Sequence, residues 1–273
     1  MRRLAVLGSP ISHSKSPALH RAAYARLGLD WEYTAIEMDG ERLAPFIDER
    51  DASWRGLSLT MPLKQDVLPL LDGVDELARL TGAANTVLFG DDGARRGFNT
   101  DVGGIVRTLR EAGIERIERG ILVGGGATAA SALAAMAELG AVQASVLVRR
   151  PDAGKHLVEL GAALGVDVRP GAIAALADAT RADLVVSTVP GGTELGVTAS
   201  EALVRNAALL DVAYSPWPTT LAAQWLAAGG PVVHGLGMLL HQALLQVRIF
   251  VGGDPSVPLP DEPGVLHVMR ESL

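Results

Sequence analysis

Among the residues that could do chemistry, the most specific set is a glycine-rich segment near the middle of the chain. Gly124-Gly125-Gly126-Ala127-Thr128-Ala129 follows a short apolar run and precedes an alanine-rich stretch. The spacing matches G-x-G-x-x-A, in which Gly124 permits a tight turn, Gly126 admits a pyrophosphate, and Ala129 packs the helix on the strand. Exposed N–H groups and the helix dipole would bind the anion. We predict a dinucleotide site; the alternative is a structural glycine turn.

The end of the next apolar run, Val148-Arg149-Arg150-Pro151, indicates which dinucleotide is bound. An NAD-binding protein usually carries Asp or Glu there, which bonds the ribose 2′-hydroxyl. Arg149 and Arg150 instead suit a 2′-phosphate, because each charge-assisted hydrogen bond contributes roughly 1.5–3 kcal/mol. The pattern favours NADP over NAD and over a plain basic surface turn, although the nearby Asp152 keeps NAD open.

A hydroxyl-rich segment, Ser12 to Pro17, lies where a helix is expected to begin. A helix N-terminus with hydroxyl groups is suited to binding a carboxylate. We expect Ser16 to be the N-cap and Pro17 the first helical residue. Ser14 has no such structural task in this interpretation and is therefore the stronger candidate ligand.

Further polar residues follow predicted strands. Lys64 comes shortly after a strand end, and an amine partly withdrawn from water can exchange protons near neutral pH. Most lysines are solvated surface groups, and the sequence pattern by itself does not separate Lys64 from them. Asn85, Asn99 and Asp101 stand at strand ends, where small polar side chains point into the ligand crevice of an α/β sheet. The alternative for Asn99 and Asp101 is that they cap the following helix.

The elements that must position these residues alternate between strand and helix. Strands are expected at 4–7, 31–38, 56–60, 120–123, 144–148, 184–188 and 208–212, and helices at 17–28, 41–50, 127–139 and 155–164. Helical segments interrupted by Pro69 and Gly73 are expected over 63–80. The segment 86–98 is expected to form a hairpin around Asp91-Asp92-Gly93. Alternation of this kind predicts an α/β fold with a parallel sheet covered on both faces.

Composition narrows the class of protein. The chain is 48% hydrophobic and 4% aromatic, carries a net charge of −7 and has no cysteine. The charge disfavours a nucleic-acid or anionic-membrane partner, and disulfides and thiolate sites are excluded. The six histidines form no metal-binding pattern, so no metal is expected. The apolar stretch 221–240 is interrupted by polar residues and glycines and does not predict a membrane span, so we expect a cytoplasmic protein.

Several motifs occur together in a characteristic order. They are Gly8 to Pro17, Thr60-Met61-Pro62-Leu63-Lys64, Gly82-Ala83-Ala84-Asn85-Thr86, Asn99-Thr100-Asp101, the Gly124 turn, Asp211 to Pro216, and Gly235 to Gln242. On these motifs the chain resembles the shikimate dehydrogenase family over essentially its whole length. The resemblance implies a substrate-binding and catalytic domain, 1–101 plus about 238–273, and a Rossmann-type NADP-binding domain, 102–237.

The resemblance also implies a role for individual residues. Lys64 and Asp101 would be the catalytic proton-transfer pair. The substrate would be bound by Ser14, Ser16, Thr60, Asn85, Asp101, Tyr214 and Gln242. The cofactor would be bound by Gly124, Gly125, Gly126, Ala127, Thr128, Arg149, Arg150, Thr188, Val212, Gly235 and Met238.

The implied reaction is the NADP-dependent, reversible reduction of 3-dehydroshikimate to shikimate by a monomer or homodimer. The chain has Ser58-Leu59-Thr60 where the family commonly has Asn-Val-Thr, and it also departs from the family at Ser187 and Gly125. These differences keep a quinate or dual-specificity dehydrogenase using NAD open as an alternative. A non-catalytic NADP-binding regulator is a further alternative, although both proton-transfer residues are present.

Overall fold

Buried apolar runs form the strands of two separate six-stranded sheets. The computed structural model describes residues 1–150 and 153–273 in full, and only the backbone of 151 and 152. The chain divides into two units, Met1–Gly104 with Leu239–Leu273, and Ile105–Met238. Each unit contains one of the sheets, and both boundaries between the units fall inside helices.

The first unit begins with a strand, a helix and a strand and ends with two helices. Its strands are β1 (Arg2–Gly8), β2 (Trp31–Glu37), β3 (Trp54–Leu59), β4 (Gly73–Val74), β5 (Thr86–Phe89) and β6 (Arg95–Phe98). Its helices are α1 (Ser16–Arg26), α2 (Gly40–Asp48), α3 (Leu63–Asp66), α4 (Glu76–Thr81), the start of α5 (Asp101–Glu111), most of α10 (Gly235–Gly252) and α11 (Glu262–Glu271).

The first sheet has the order β2-β1-β3-β5-β6-β4 and is mixed rather than purely parallel. Strand β1 pairs in parallel with β2 and β3, whereas β5 pairs antiparallel with both β3 and β6. The predicted hairpin of β5 and β6 is present, and β5 is the strand that makes the sheet mixed. The segment 63–80, predicted to be interrupted helix, also contains the short strand β4, which pairs with β6.

The directions of the strands bring several strand ends to one edge of this sheet. The carboxyl ends of β1 and β3 lie there together, and the Ser9 N–H donates to the Met61 carbonyl at 2.9 Å. Because β5 reverses direction, its first residue, Thr86, pairs with Ser58 near the end of β3. Strand β6 reverses again, so its last residue, Phe98, pairs with Thr86. The segments after β1, β3 and β6 and before β5 therefore meet at this edge.

Helix α1 begins one residue away from the predicted N-cap. Ser16 is the first helical residue, and Lys15 occupies the N-cap position without a capping hydrogen bond from its side chain. Ser14 has a local task that the sequence did not predict, because its Oγ accepts a hydrogen bond from the Ser16 N–H at 3.3 Å. Ser14 thus shapes the turn into the helix, which is the local task that was assigned to Ser16.

The second unit is a repeating series of strands and helices. Its strands are β7 (Arg119–Val123), β8 (Gln143–Val148), β9 (Asp167–Ala172), β10 (Leu184–Ser187), β11 (Ala208–Asp211) and β12 (Val232–His234). Its helices include most of α5 and the whole of α6 (Ala127–Glu138), α7 (Lys155–Leu164), α8 (Glu201–Asn206) and α9 (Thr220–Ala227).

All pairings in the second sheet are parallel, in the order β12-β11-β10-β7-β8-β9. Read from β9, this is the 3-2-1-4-5-6 order of a Rossmann sheet, in which the strand order reverses between β7 and β10. The α/β prediction of a Rossmann-type unit with a parallel sheet is confirmed. The edge strands β9 and β12 were not predicted, because one contains Pro170 and charged residues and the other is three residues long.

Alternate residues of β1 supply two separate cores in the first unit. Leu4 and Val6 pack with α1, α10 and α11 on one face, whereas Ala5 and Leu7 pack with α2 and β3 residues on the other. Helix α10 is the one described helix that is long and apolar enough to cross a membrane, and 72% of it is buried within the protein. That burial is typical of a core helix.

Candidate active site

Two charged side chains form a close, buried pair in the first unit. Lys64 Nζ donates a hydrogen bond to Asp101 Oδ2 at 2.5 Å. The side chains of Lys64 and Asp101 are only 12% and 4% exposed, so water screens their attraction weakly. Asp101 is also the first residue of α5, where the helix dipole stabilises a negative charge. The result is an ammonium group held against a carboxylate at the edge of the first sheet where the strand ends meet.

Asn85 holds the other oxygen of this carboxylate. Its Nδ2 donates to Asp101 Oδ1 at 2.8 Å and also lies 3.4 Å from Gln242 Oε1. Its Oδ1 accepts from the Thr100 N–H at 2.9 Å and from the Thr86 hydroxyl at 2.8 Å. Asn85 is buried, so these bonds specify the orientation of its amide group. Both oxygens of Asp101 are thereby engaged, and the carboxylate has a defined position.

The remaining polar residues of the first unit support or flank this network. Asn99 Oδ1 accepts from the Asp101 N–H at 3.0 Å, so it shapes the start of α5. Gln242, on α10, donates from Nε2 to the Leu239 carbonyl at 2.8 Å. Thr60 follows β3 and packs against Gly8. A Cβ built on Gly8 would lie 2.3 Å from the Thr60 methyl carbon, so a larger residue at position 8 would clash with it. Ser16 is buried and Ser14 half-buried.

The structure therefore brings part of the predicted substrate set together. Lys64, Asp101, Asn85 and Gln242 belong to one network, and they come from four separate segments. Ser14, Ser16 and Thr60 lie in the same unit, but no hydrogen bond among the described residues joins them to this network. Tyr214 lies in the second unit, after β11, where burial raises the pKa of its phenol.

In the second unit the glycine-rich segment forms the turn between β7 and α6. Gly124 has a φ of 120°, a conformation that favours glycine, and a Cβ there would lie 2.3 Å from Thr188 Oγ1. Gly126 is the N-cap of α6, and a Cβ built on it would meet nothing within 4 Å. Ala129 is fully buried against the unit's interior. The turn thus leaves open space in front of the N–H groups of a twelve-residue helix.

Other predicted cofactor residues follow neighbouring strands. Arg149 and Arg150 are exposed immediately after β8, which pairs with β7. Thr188 follows β10 on the other side of β7, and its hydroxyl donates to the Val123 carbonyl at 3.1 Å. The carboxyl ends of these three strands surround the point where the strand order reverses. That is where α/β proteins of this topology bind nucleotides.

The loop after β11 carries Val212 and Tyr214 and is held by a buried carboxylate. Asp211 accepts hydrogen bonds from the Ala213 N–H at 3.1 Å and from the Thr219 hydroxyl. Burial raises the pKa of Asp211, and these hydrogen bonds oppose the rise. Gly235, at the start of α10, packs so tightly that a Cβ would lie 2.3 Å from the Val212 carbonyl oxygen. Met238 is buried one turn later.

Among the described residues, no group of three or more His, Asp or Glu side chains is placed to hold a metal ion.

The sequence patterns did not identify Gln246, a buried polar residue of the first unit. It donates to the Asn85 carbonyl and to Thr86 Oγ1. Its signal was the spacing of four residues from Gln242, which places both amides on one face of α10.

The fold and the two sites define a class: a two-unit α/β dehydrogenase with a dinucleotide-binding turn. The family model of the shikimate dehydrogenase substrate binding domain matches residues 6–87. A shikimate dehydrogenase (NADP(+)) from Citrifermentans bemidjiense is 39% identical over 92% of this chain and 90% of its own length. The chain belongs to the shikimate dehydrogenase family.

Solved structures agree with this assignment. The shikimate dehydrogenase of Mycobacterium tuberculosis is 38% identical, with a TM-score of 0.87 over 99% of this chain and 100% of that one. A shikimate 5-dehydrogenase from Thermus thermophilus, solved in complex with NADP(H) and shikimate, is 32% identical. Its TM-score is 0.83, and the comparison covers 100% of both chains.

Proposed function

We propose that this chain catalyses the NADP-dependent, reversible reduction of 3-dehydroshikimate to shikimate, with Lys64 and Asp101 as its proton-transfer pair. The observation that carries the proposal is the 2.5 Å contact between Lys64 Nζ and Asp101 Oδ2, in a chain of this family. The pair is buried, and Asn85 holds its carboxylate. A proton donor whose position is defined in this way is what reduction of a ketone requires.

The nicotinamide cofactor supplies the hydride when it is bound. The residues of this chain manage the proton that must accompany it. In the direction of reduction, the Lys64 ammonium donates a proton to the alkoxide oxygen that forms on the substrate. In the direction of oxidation, neutral Lys64 accepts the proton of the substrate hydroxyl. Asp101 orients the Lys64 amine, and its negative charge stabilises the ammonium form.

The residues of the second unit fit a dinucleotide that carries a 2′-phosphate. Gly126 leaves open space at the N-terminus of α6, where a pyrophosphate would be bound by backbone N–H groups. Two exposed guanidinium groups, Arg149 and Arg150, follow the adjacent strand, which is the position of the ribose 2′-substituent. We assign Gly124 to Thr128 to the pyrophosphate, and Thr188, Val212, Gly235 and Met238 to the nicotinamide half.

For the substrate, we assign Ser14 and Ser16 to the carboxylate and Asn85 to a ring hydroxyl, with Thr60, Gln242 and Tyr214 as further contacts. We also propose that residues 1–101 with about 238–273 form the substrate and catalytic domain, and that 102–237 form the NADP domain. The units found in the structure divide between 104 and 105 and between 238 and 239. We expect the reaction to take place in the cytoplasm.

The alternatives are not favoured. Relatives that are 31–39% identical over more than nine-tenths of this chain are named shikimate dehydrogenases that use NADP(+). A quinate dehydrogenase using NAD, or a regulator without activity, has no comparable support.

The proposal is tested by following cofactor reduction at 340 nm with each combination of shikimate or quinate and NADP or NAD. We expect kcat/KM to be highest for shikimate with NADP. A preference for quinate, or for NAD, would contradict the substrate or the cofactor assignment separately. No turnover with any combination would support the regulator instead.

A further inference from the structure

A second buried polar network lies beneath the Lys64–Asp101 pair, on the α1 and α10 face of the first sheet. It joins His20, Tyr24, Tyr33, Ser58 and Gln246, all of which are almost completely buried. The rings of His20 and Tyr33 are stacked with their centroids 4.0 Å apart. Buried polar groups destabilise a core unless they are paired, so a network of this size on an apolar face indicates a specific role for these groups.

The chemistry of the groups specifies the direction of each hydrogen bond. Burial lowers the pKa of His20 to about 3, and hydrogen bonding to Gln246 only partly opposes this, so the ring is neutral. Gln246 Oε1 can only accept, so His20 Nε2, 3.2 Å away, must carry the proton. His20 Nδ1 then accepts from the Tyr24 hydroxyl at 3.1 Å.

Ser58 completes the specification of the Gln246 amide. Its hydroxyl donates to Gln246 Oε1 at 2.8 Å and accepts from the Tyr33 hydroxyl at 2.6 Å. Burial raises the pKa of Tyr33, which therefore remains a donor. On its other side the amide faces the Asn85 backbone carbonyl, which can only accept, so a flipped amide would direct its oxygen at that oxygen. The amide of Gln246 consequently has one favourable orientation, with Nε2 directed toward Asn85 and Thr86.

Hydrogen bonds connect the amide of Gln246 to the Asn85 amide, which holds the proposed catalytic pair. Gln246 Nε2 donates to the Asn85 carbonyl at 3.1 Å and to Thr86 Oγ1 at 3.0 Å. The Thr86 hydroxyl donates to Asn85 Oδ1 at 2.8 Å. With its oxygen engaged, the Asn85 amide presents Nδ2 to Asp101. A flipped Asn85 would instead direct its oxygen at the carboxylate, which is repulsive.

We propose that Gln246 and Thr86 are positioning residues, which orient Asn85 and through it the Asp101 carboxylate that holds Lys64. The proposal rests on the proposed function, because it concerns the efficiency of that proton transfer. It also accounts for a polar amide in the middle of an apolar helix face. Neither residue needs to touch the substrate for this role.

The test compares Thr86→Val and Gln246→Met, which keep side-chain volume and remove the relay, with Thr86→Ser, which keeps the hydroxyl. Tyr33→Phe is the matched control, because it removes a buried hydrogen bond beyond Gln246 while Ser58 can still donate to Gln246 Oε1. We expect Thr86→Val and Gln246→Met to lower kcat by about five- to tenfold, which corresponds to the loss of roughly 1–1.4 kcal/mol, the net value of one hydrogen bond. The KM for NADP should stay within about twofold, and Thr86→Ser should restore most of kcat. Tyr33→Phe should lower Tm and leave kcat nearly unchanged.

A measurement without turnover separates this proposal from the proposed function. The ¹⁵N side-chain amide resonances of Asn85 should shift in Thr86→Val and Gln246→Met but not in Tyr33→Phe. Unchanged resonances together with normal kcat would overturn the positioning role. Shifted resonances in an enzyme whose Lys64→Ala variant turns over normally would preserve the positioning of Asn85 and reject the proton-transfer pair.

Discussion

The two sites of this protein are built from different groups, side chains in the first unit and backbone N–H groups in the second. In the first unit, side chains from four segments hold one another, and each of the two oxygens of Asp101 has a partner. In the second unit, the turn at Gly124 and Gly126 offers backbone N–H groups and an absence of side chains. The first arrangement depends on which side chains the fold brings together, whereas the second depends on the conformation of six consecutive residues.

This difference predicts how each site responds to substitution. A site made of side chains loses function when one of them is truncated, since its neighbours are left buried and unpaired. A backbone site tolerates changes of side chain and is damaged chiefly by added bulk. The exception within the second unit is the 2′-phosphate position, which depends on two guanidinium groups. Four predictions address this contrast, from the largest expected effect to the smallest.

Lys64→Ala removes the proposed proton donor. We expect kcat for shikimate oxidation to fall by roughly 10²–10⁴-fold, with a much smaller change in KM, because a positioned proton-transfer group contributes that much to the rate. Initial-rate kinetics measure both constants. The control is Gln65→Ala, an exposed change on the same short helix, which should leave both constants unchanged. Near-normal kcat in Lys64→Ala would reject the assignment.

Arg149→Ala and Arg150→Ala test the part of the second site that does use side chains. Each loss of a charge-assisted hydrogen bond should raise the KM for NADP by roughly 10- to 100-fold, equivalent to about 1.5–3 kcal/mol. The KM for NAD should not rise, since NAD has no 2′-phosphate. Arg181→Ala, an exposed arginine before β10 at the opposite end of the sheet, is the matched control. Equal effects on NADP and NAD would point to a structural cause.

The side-chain network of the first unit should also make stability depend on pH. His20 is neutral when folded because burial lowers its pKa from 6.5 to about 3. Below about pH 6.5 the unfolded chain binds the additional proton, so stability falls as the pH drops toward 3. At pH 5 this contributes a loss of about 2 kcal/mol relative to neutral pH.

Urea unfolding at pH 7.5 and pH 5.0 measures this loss, with His20→Gln as the comparison. The variant should lose about 2 kcal/mol less than the wild type over this interval, because the other titrating groups are common to both proteins. An identical pH dependence in the two proteins would mean that His20 is not neutral in the folded state.

The smallest effect is expected for Thr128→Ala, within the glycine-rich turn. If backbone N–H groups bind the pyrophosphate, losing this side chain should change the KM for NADP by less than about twofold, in the range of a neutral surface substitution. Gly126→Val is the contrasting variant, because its side chain would enter the open space in front of α6. A large effect of Thr128→Ala would show that the second site also depends on side chains and would weaken the contrast.

The accuracy of prediction from the sequence follows the same division. The Gly124 turn, the hairpin around Asp91-Asp92-Gly93 and most buried strands were predictable, because a few consecutive residues specify each of them. The exact start of α1 was not, since Ser14 and Ser16 both offer hydroxyl groups within one turn and only the local geometry distinguishes them. The polar edge strand β9 gave too weak an apolar pattern to be recognised.

The amino-acid sequence by itself determined the class of fold and the nucleotide turn, because backbone sterics and hydrophobic periodicity act over short distances along the chain. The motif resemblance identified Lys64 and Asp101 as candidates, but their residue types alone did not. Only the tertiary structure decided that these side chains, 37 positions apart, form a contact, and that Gln246 reaches Asn85 across 161 positions. The physical reason is the double reversal of β5 and β6, which brings distant chain segments to one edge of the sheet.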